Sequence, residues 1–361
     1  MSLAKSVVND CLQITDKDNV TISLWPHDLS LAEDIAEECF KKGADVLLNL
    51  ATDRYLTSSL RFLSAESLKQ PSVFCKALTE SSTAEVFLGG TYDPAVLKTI
   101  DPEKFAASNE GETKAHFPLN RERKLRSISL GLALVTKPRA KAYGFNYDKW
   151  RRMVLAATSV DYHKLAKTGK ALADSLKGAK LLTVTGVGKT EISLDVSDRR
   201  WRVSDGVIDE QDIRDENFED EIPAGSIYAA PVEGSARGSV TFNAVTPYMG
   251  TKVTGLHLSF EEGRVTQFSG NSSTARLRKT WEKASGDKDR IGYFEIGFNP
   301  RAETGCTING VAYGAVSIGI GENQSLGGKN KSSFFYAGTL TGATVEADGR
   351  TVLRKGKIVP S

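Results

Sequence analysis

Side chains able to bind a metal, attack a carbonyl or move protons are sparse in this chain and poorly spaced for cooperation. The four histidines, His27, His116, His163 and His257, share no metal-binding spacing such as HxxxH or HxD. His257 lies in an alternating run (GLHLSF) and His163 beside Tyr162 and Lys164 on a helical stretch; a lone histidine in such places is structural or solvent-facing. No GxSxG elbow marks a nucleophilic serine. Between Gly305 and Val345 there is no histidine and no aspartate, and Glu322 is the one carboxylate. A hydrolytic metal centre draws on several imidazole or carboxylate ligands, so this stretch does not supply one. The segment 186–190 (GVGKT) looks like the end of a phosphate loop, but Thr183 stands where the first glycine belongs and the strand-like EISLDV follows. Without a helix N-terminus behind it, the segment reads as a β-turn. The glycine-rich 319–333 (GIGENQSLGGKNKSS) carries polar side chains after an apolar β run. Such a stretch either lets backbone approach a ligand or forms a set of tight turns.

Composition narrows the class. With 47 basic and 45 acidic side chains the net charge is +2, which gives no general attraction to nucleic acid or an anionic membrane. The basic run 121–126 and the cluster Lys149, Arg151 and Arg152 lack interleaved aromatic platforms apart from Trp150, and read as solvated faces. No apolar run approaches the roughly 20 residues needed to span a bilayer, and the first residues (MSLAKSVVNDCLQ) lack an apolar signal core. Cys11, Cys39, Cys75 and Cys306 are scattered without CxxC spacing, so a reduced, cytoplasmic protein is expected. A length of 361 residues accommodates two domains.

These residues must be positioned by two kinds of scaffold. The first 135 residues alternate strand and helix: 21–25 (TISLW), a helical face of residues 31, 35, 36, 39 and 40 stopped by Gly43, 46–50 (VLLNL), 85–88 (EVFL) and 130–135 read as βα units. Strands separated by helices predict a largely parallel sheet covered on both faces. Residues 146–177 read as helical, with Trp150, Met153, Val154 and Ala157 on one stripe and Tyr162, Leu165, Ala166, Gly169, Ala173 and Leu176 on another. Asp161 is an N-cap candidate and Gly178 a C-cap glycine. From Ala179 short Val-, Ile- and Thr-rich runs alternate with glycine turns, and 273–284 is the best helix. The fold expected is therefore an N-terminal α/β domain (1–178) with a mainly parallel sheet, followed by a β-rich α+β domain (179–361).

Three segments of the second half carry a likeness: 223–231 (PAGSIYAAP), 291–300 (IGYFEIGFNP) and 313–337 (YGAVSIGIGENQSLGGKNKSSFFYA). In this order and spacing the chain resembles the thermophilic metallo-aminopeptidases of the aminopeptidase T and aminopeptidase S type. It is more distantly similar to a dihydroxypyridine-ring-opening dioxygenase on a related scaffold. The helix texture of 32–45 (AEDIAEECFKKGAD) and the strand and turn of 190–206 extend the likeness over nearly all of the chain.

The resemblance implies a homodimer and two divalent ions held by two glutamates, two histidines and an aspartate. Carried over position by position, the glutamates fall on Ser226 and Tyr293, the first histidine on Ser317, and the H-x-D pair on Phe335 and Ala337, with the catalytic tyrosine near Gln324. Hydroxyl oxygens are weak neutral ligands at pH 7, and Phe and Ala cannot bind metal at all. No catalytic residue, metal ligand or cofactor is therefore assigned. The pocket expected is neutral and partly apolar, formed by Ser226, Tyr293, Ser317 and Phe335. Glu295, two residues from Tyr293 on the same side of a strand, joins it, with Glu322, Asn323 and Lys329 from the glycine-rich loop. The expected function is a family member that has lost its di-metal site and binds a peptide or small molecule. The alternatives are an active enzyme, using rearranged carboxylates or metal-free acid–base groups such as Tyr293 or Lys329, and a structural or interaction subunit.

Overall fold

The computed structural model describes residues 2–248, 251–305 and 307–359; Cys306 lies outside them. Contacts group the chain into two compact units, Met1–Arg151 with Gly206–Pro223, and Arg152–Asp205 with Ala224–Ser361. The texture change at 178/179 marks where the antiparallel strands begin. The helices from 152 onward belong with those strands, and 206–223 returns to the first unit because it supplies a strand to the parallel sheet.

The first unit holds five parallel strands in the order Asp45–Leu50, Asn19–Leu24, Ala84–Leu88, Arg126–Leu130 and Glu219–Ile222. The Leu29–Phe40 helix buries Ala32, Ile35, Ala36 and Cys39 at the i, i+3, i+4, i+7 spacing of one face. Phe40 leaves that stripe and is 59% exposed, being one helical step beyond Cys39 in the last turn. Burial pushes the Cys39 thiol up to about 11, as expected of an inert core cysteine. The run 130–135 is not a strand. The strand is Arg126–Leu130, followed by a 3-10 turn over Gly131–Leu134. Its last partner, Ile222, is followed by Pro223, which has no N–H to continue the ladder.

The two faces of this sheet differ in kind. One carries Val20, Ile22, Leu24, Val86, Leu88, Ile128, Leu130 and Ile222, all buried. The other carries, strand by strand in register, Leu47 and Asn49, Thr21 and Ser23, Glu85 and Phe87, Ser127 and Ser129, and Glu219 and Glu221. Parallel sheets are ordinarily apolar on both faces; here the second face is largely polar, and residues of the Val73–Ser81 and Pro102–Arg123 helices lie across from it. At the N-terminal end of the strands Asp18 pairs with Arg126 and accepts from the Thr83 hydroxyl (2.7 Å) and the Thr15 N–H (2.8 Å).

The second unit is antiparallel. Eight strands run in the order Arg264–Ser269, His257–Glu261, Arg237–Thr241, Thr190–Asp195, Leu181–Gly186, Thr344–Ala347, Arg350–Arg354 and Lys357–Ile358. A second sheet orders Phe335–Leu340, Val316–Gly321, Ile291–Gly297, Ser226–Ala229 and Arg202–Ser204. The GVGKT segment is the tight turn between the paired strands Leu181–Gly186 and Thr190–Asp195, with Gly188 at φ +66°. The Tyr162–Leu176 helix starts on Asp161, whose carboxylate accepts from the Lys164 N–H at 3.1 Å, and Gly178 follows at φ +75°. Val203, Ile227, Phe294, Ile296, Val316, Ile318, Ile320 and Leu340 make up the apolar face of the five-stranded antiparallel sheet. That helix packs against it, with Gly169 close to Val203 and Phe298.

Candidate functional site

The opposite face of the five-stranded antiparallel sheet gathers most of the residues singled out by the sequence. Strand alternation puts Ser226 and Tyr228, Tyr293 and Glu295, Ser317, and Phe335, Ala337 and Thr339 on one side. The register sets Glu295 opposite both Tyr228 and Ser317, Ser226 opposite Gly297, Tyr293 opposite Gly319, and Ala337 opposite Gly319. Directly opposed side chains in an antiparallel pair have Cβ atoms about 5 Å apart, so these groups form one cluster.

Two of the sequence segments lock together to place it. Gly225 adopts φ +122° against Asn299; a Cβ there would come within 2.6 Å of the Asn299 Cβ, which only glycine avoids. Asn299 is fully buried and donates to the carbonyls of Ala157 (3.0 Å) and Ala224 (2.6 Å) while accepting from the Arg301 N–H (2.9 Å). The glycine of PAGS and the asparagine of GFNP thus fix the strand entering at Ser226 against the strand leaving at Gly297.

Glu295 is the centre of the cluster. It is 8% exposed. Burial pushes its carboxyl up from the usual range, against the hydroxyls of Ser226, Ser317 and Tyr293, whose hydrogen bonds favour the charged form. Ser317 also shares a 3.0 Å hydrogen bond with Thr339. The turn at Asn309–Val311 covers the carboxylate so closely that a Cβ on Gly310 would lie 2.2 Å from Oε2. Beside the carboxyl the rings of Tyr228, Tyr293 and Phe335 form a row, with centroids 6.0 and 5.7 Å apart. Phe335 is 47% exposed and the two tyrosines are half-buried.

The glycine-rich loop goes elsewhere. Asn323 is fully buried, its Oδ1 accepting from the Asn330 N–H at 2.8 Å. The backbone N–H of Lys329 donates to Glu233 at 2.6 Å, and Arg199 holds the same carboxylate at 2.7 Å. Glu322 caps its own turn through the Gln324 N–H (2.6 Å). These bonds close the loop on itself and on Glu233, the tight-turn alternative of the sequence reading, while the Lys329 side chain faces solvent. Sequence reasoning missed Tyr228, Thr339 and Gly310. Their period-2 spacing from Ser226 and Ala337, and the short turn before 313, were the available signals.

The chain matches the family model described as thermophilic metalloprotease (M29) over residues 1–295. It belongs to this family. Two solved structures extend the likeness of this M29 member to the whole chain. Wild-type AmpT from Thermus thermophilus superposes with a TM-score of 0.75 at 14% identity, covering 99% of this chain and 98% of that one. The 2,5-dihydroxypyridine dioxygenase from Pseudomonas putida KT2440 gives a TM-score of 0.63 at 15% identity, covering 99% and 96%. At these identities the matches establish a shared fold. Comparison with curated proteins finds no match.

The family's description implies a metal, and the donor set does not fit one. Ser226, Tyr293, Ser317, Phe335 and Ala337 stand at the positions the resemblance assigns to ligands. Glu295, the one carboxylate on this sheet face, is enclosed by hydroxyls and the Gly310 turn. Among the described residues no three histidine, cysteine or carboxylate side chains are grouped so as to hold an ion. No helix among them is long and apolar enough to cross a membrane.

Proposed function

We propose that this M29 family member does not carry out two-ion peptide hydrolysis and instead binds a peptide or small molecule on the face around Glu295. The observation that carries the reading is the joint substitution Ser226, Tyr293, Ser317, Phe335 and Ala337 around a single buried carboxyl. A cluster of carboxylates is costly to bury without a cation. One carboxyl, biased toward its neutral form and surrounded by hydroxyls, needs no ion. The half-exposed ring row offers apolar contact area next to a hydrogen-bonding group, the usual make-up of a small-molecule site. The homodimer implied by the resemblance and a cytoplasmic location belong to the same proposal.

Two measurements test it. Elemental analysis of protein never exposed to chelator is expected to find zinc, cobalt, manganese and iron well below one ion per chain. Aminoacyl chromogenic substrates are expected to give flat baselines with or without added metal. Stoichiometric metal together with chelator-sensitive release of N-terminal residues would overturn the proposal. A thermal-shift screen of dipeptides and small aromatic amides should give hits that Tyr293→Ala abolishes.

A further inference from the structure

The polar face of the parallel sheet in the first unit is not part of the Glu295 cluster, and it bounds a cavity of about 760 Å³. Glu85 sits at the middle of this face, on the central strand, between Thr21 and Ser127 in register; Ser127 in turn faces Glu219. The Val73–Ser81 and Pro102–Arg123 helices close the far side, bringing Glu112 and His116 to the wall. His116 Nε2 lies 4.0 Å from Glu85 Oε2 and 4.0 Å from Glu219 Oε1. Asn120 Nδ2 reaches both His116 Nε2 (3.2 Å) and Glu219 Oε1 (2.8 Å).

The charge of this wall is one-sided. Its described residues include three carboxylates and one imidazole, with no lysine or arginine. His116 can balance at most one of the three. Burial pushes Glu85 up from the usual carboxylate range, so a positive charge added beside it would be favourable. The wall is also aromatic. Trp25 and Phe87 line it, and Tyr55 and Phe74, 69% and 82% exposed, stand at its solvent side. A volume of this size suits a small ligand, and ring faces attract organic cations. Besides a long 3.4 Å hydrogen bond from the Ser23 hydroxyl and His116 at 4.0 Å, the Glu85 carboxyl faces the cavity, a placement suited to the recognition group of a pocket.

We propose that this cavity binds an organic cation, an alkyl ammonium whose head is held by Glu85 and Glu219 and whose apolar body lies against the aromatic wall. The assignment does not rest on the reading of the Glu295 face.

Calorimetric titration of the full chain with phenethylamine tests it, with phenethyl alcohol as the uncharged counterpart. The amine is expected to bind once per chain and the alcohol at least about tenfold more weakly. Glu85→Gln is expected to weaken the amine by about tenfold or more while melting at or above the parent temperature, since it removes a buried charge. Should that variant fail to fold, Glu219→Gln, at a half-exposed side chain, carries the same expectation. The proposal is overturned if alcohol and amine bind equally, if the folded variants bind the amine as the parent does, or if millimolar amine gives no binding heat.

Discussion

The Glu295 carboxyl is buried among the hydroxyls of Ser226, Ser317 and Tyr293 beneath the Gly310 turn. Burial raises its carboxyl, so the folded chain holds this proton more tightly than the unfolded chain does. Its contribution to stability is therefore full below the ordinary carboxylate value and is lost as pH rises through the elevated folded value. Glu295→Gln should raise the melting temperature at neutral pH, with the difference vanishing in acid; a melting series from pH 4 to pH 8 checks this. Asn299 is the opposite case, a buried polar group whose bonds are satisfied. Asn299→Ala removes its donors to two buried carbonyls and should cost about 3 kcal/mol in urea unfolding. Ser226, Tyr293 and Ser317 came from the family resemblance carried over position by position, and strand alternation added Glu295 beside Tyr293; the register then puts all four on one sheet face. Asn323 was not legible as a structural residue, because its partners Asn330 and Glu233 are set by loop closure rather than by spacing.

Among the elements, the strands of the first unit were found by their β-prone runs, but what covers each face was not. Alternation in TIS, EVF and SIS is visible in the sequence, yet it reads equally as a solvent face or a lined cavity until the helices are placed. The strand starts depend on Asp18. Although burial opposes it, hydrogen bonds from Thr83 and Thr15 and the Arg126 charge hold its carboxyl below the usual range. Such a group stabilises the fold above its unfolded value, and the benefit is lost as pH falls through its folded value. Asp18→Asn leaves Arg126 largely buried without its counter-charge and should cost about 3 kcal/mol at neutral pH, a deficit that shrinks in acid. Urea midpoints at pH 7 and pH 3.5 for both proteins decide this.

For the molecule as a whole, chain order and spatial order part company at 206–223. That segment leaves the antiparallel unit to pair Glu219–Ile222 with Arg126–Leu130. A fragment ending at 178, where the sequence texture changes, lacks this strand and leaves an open edge of the kind that pairs with other chains. Expressed alone, residues 1–178 should aggregate or unfold without a cooperative urea transition, whereas the full chain shows one. A soluble, cooperatively unfolding fragment would contradict the role given to the returning strand.

The sequence by itself determined the family and the two kinds of sheet, because motif order and hydrophobic period are local properties. Only the tertiary structure decided that Glu295 is enclosed by three hydroxyls and a glycine turn, that the glycine-rich loop is tied to Glu233, and that Glu85, Glu219 and His116 meet across a cavity. Those arrangements join residues scores of positions apart. Their chemistry depends on strand register and burial, neither of which a linear pattern encodes.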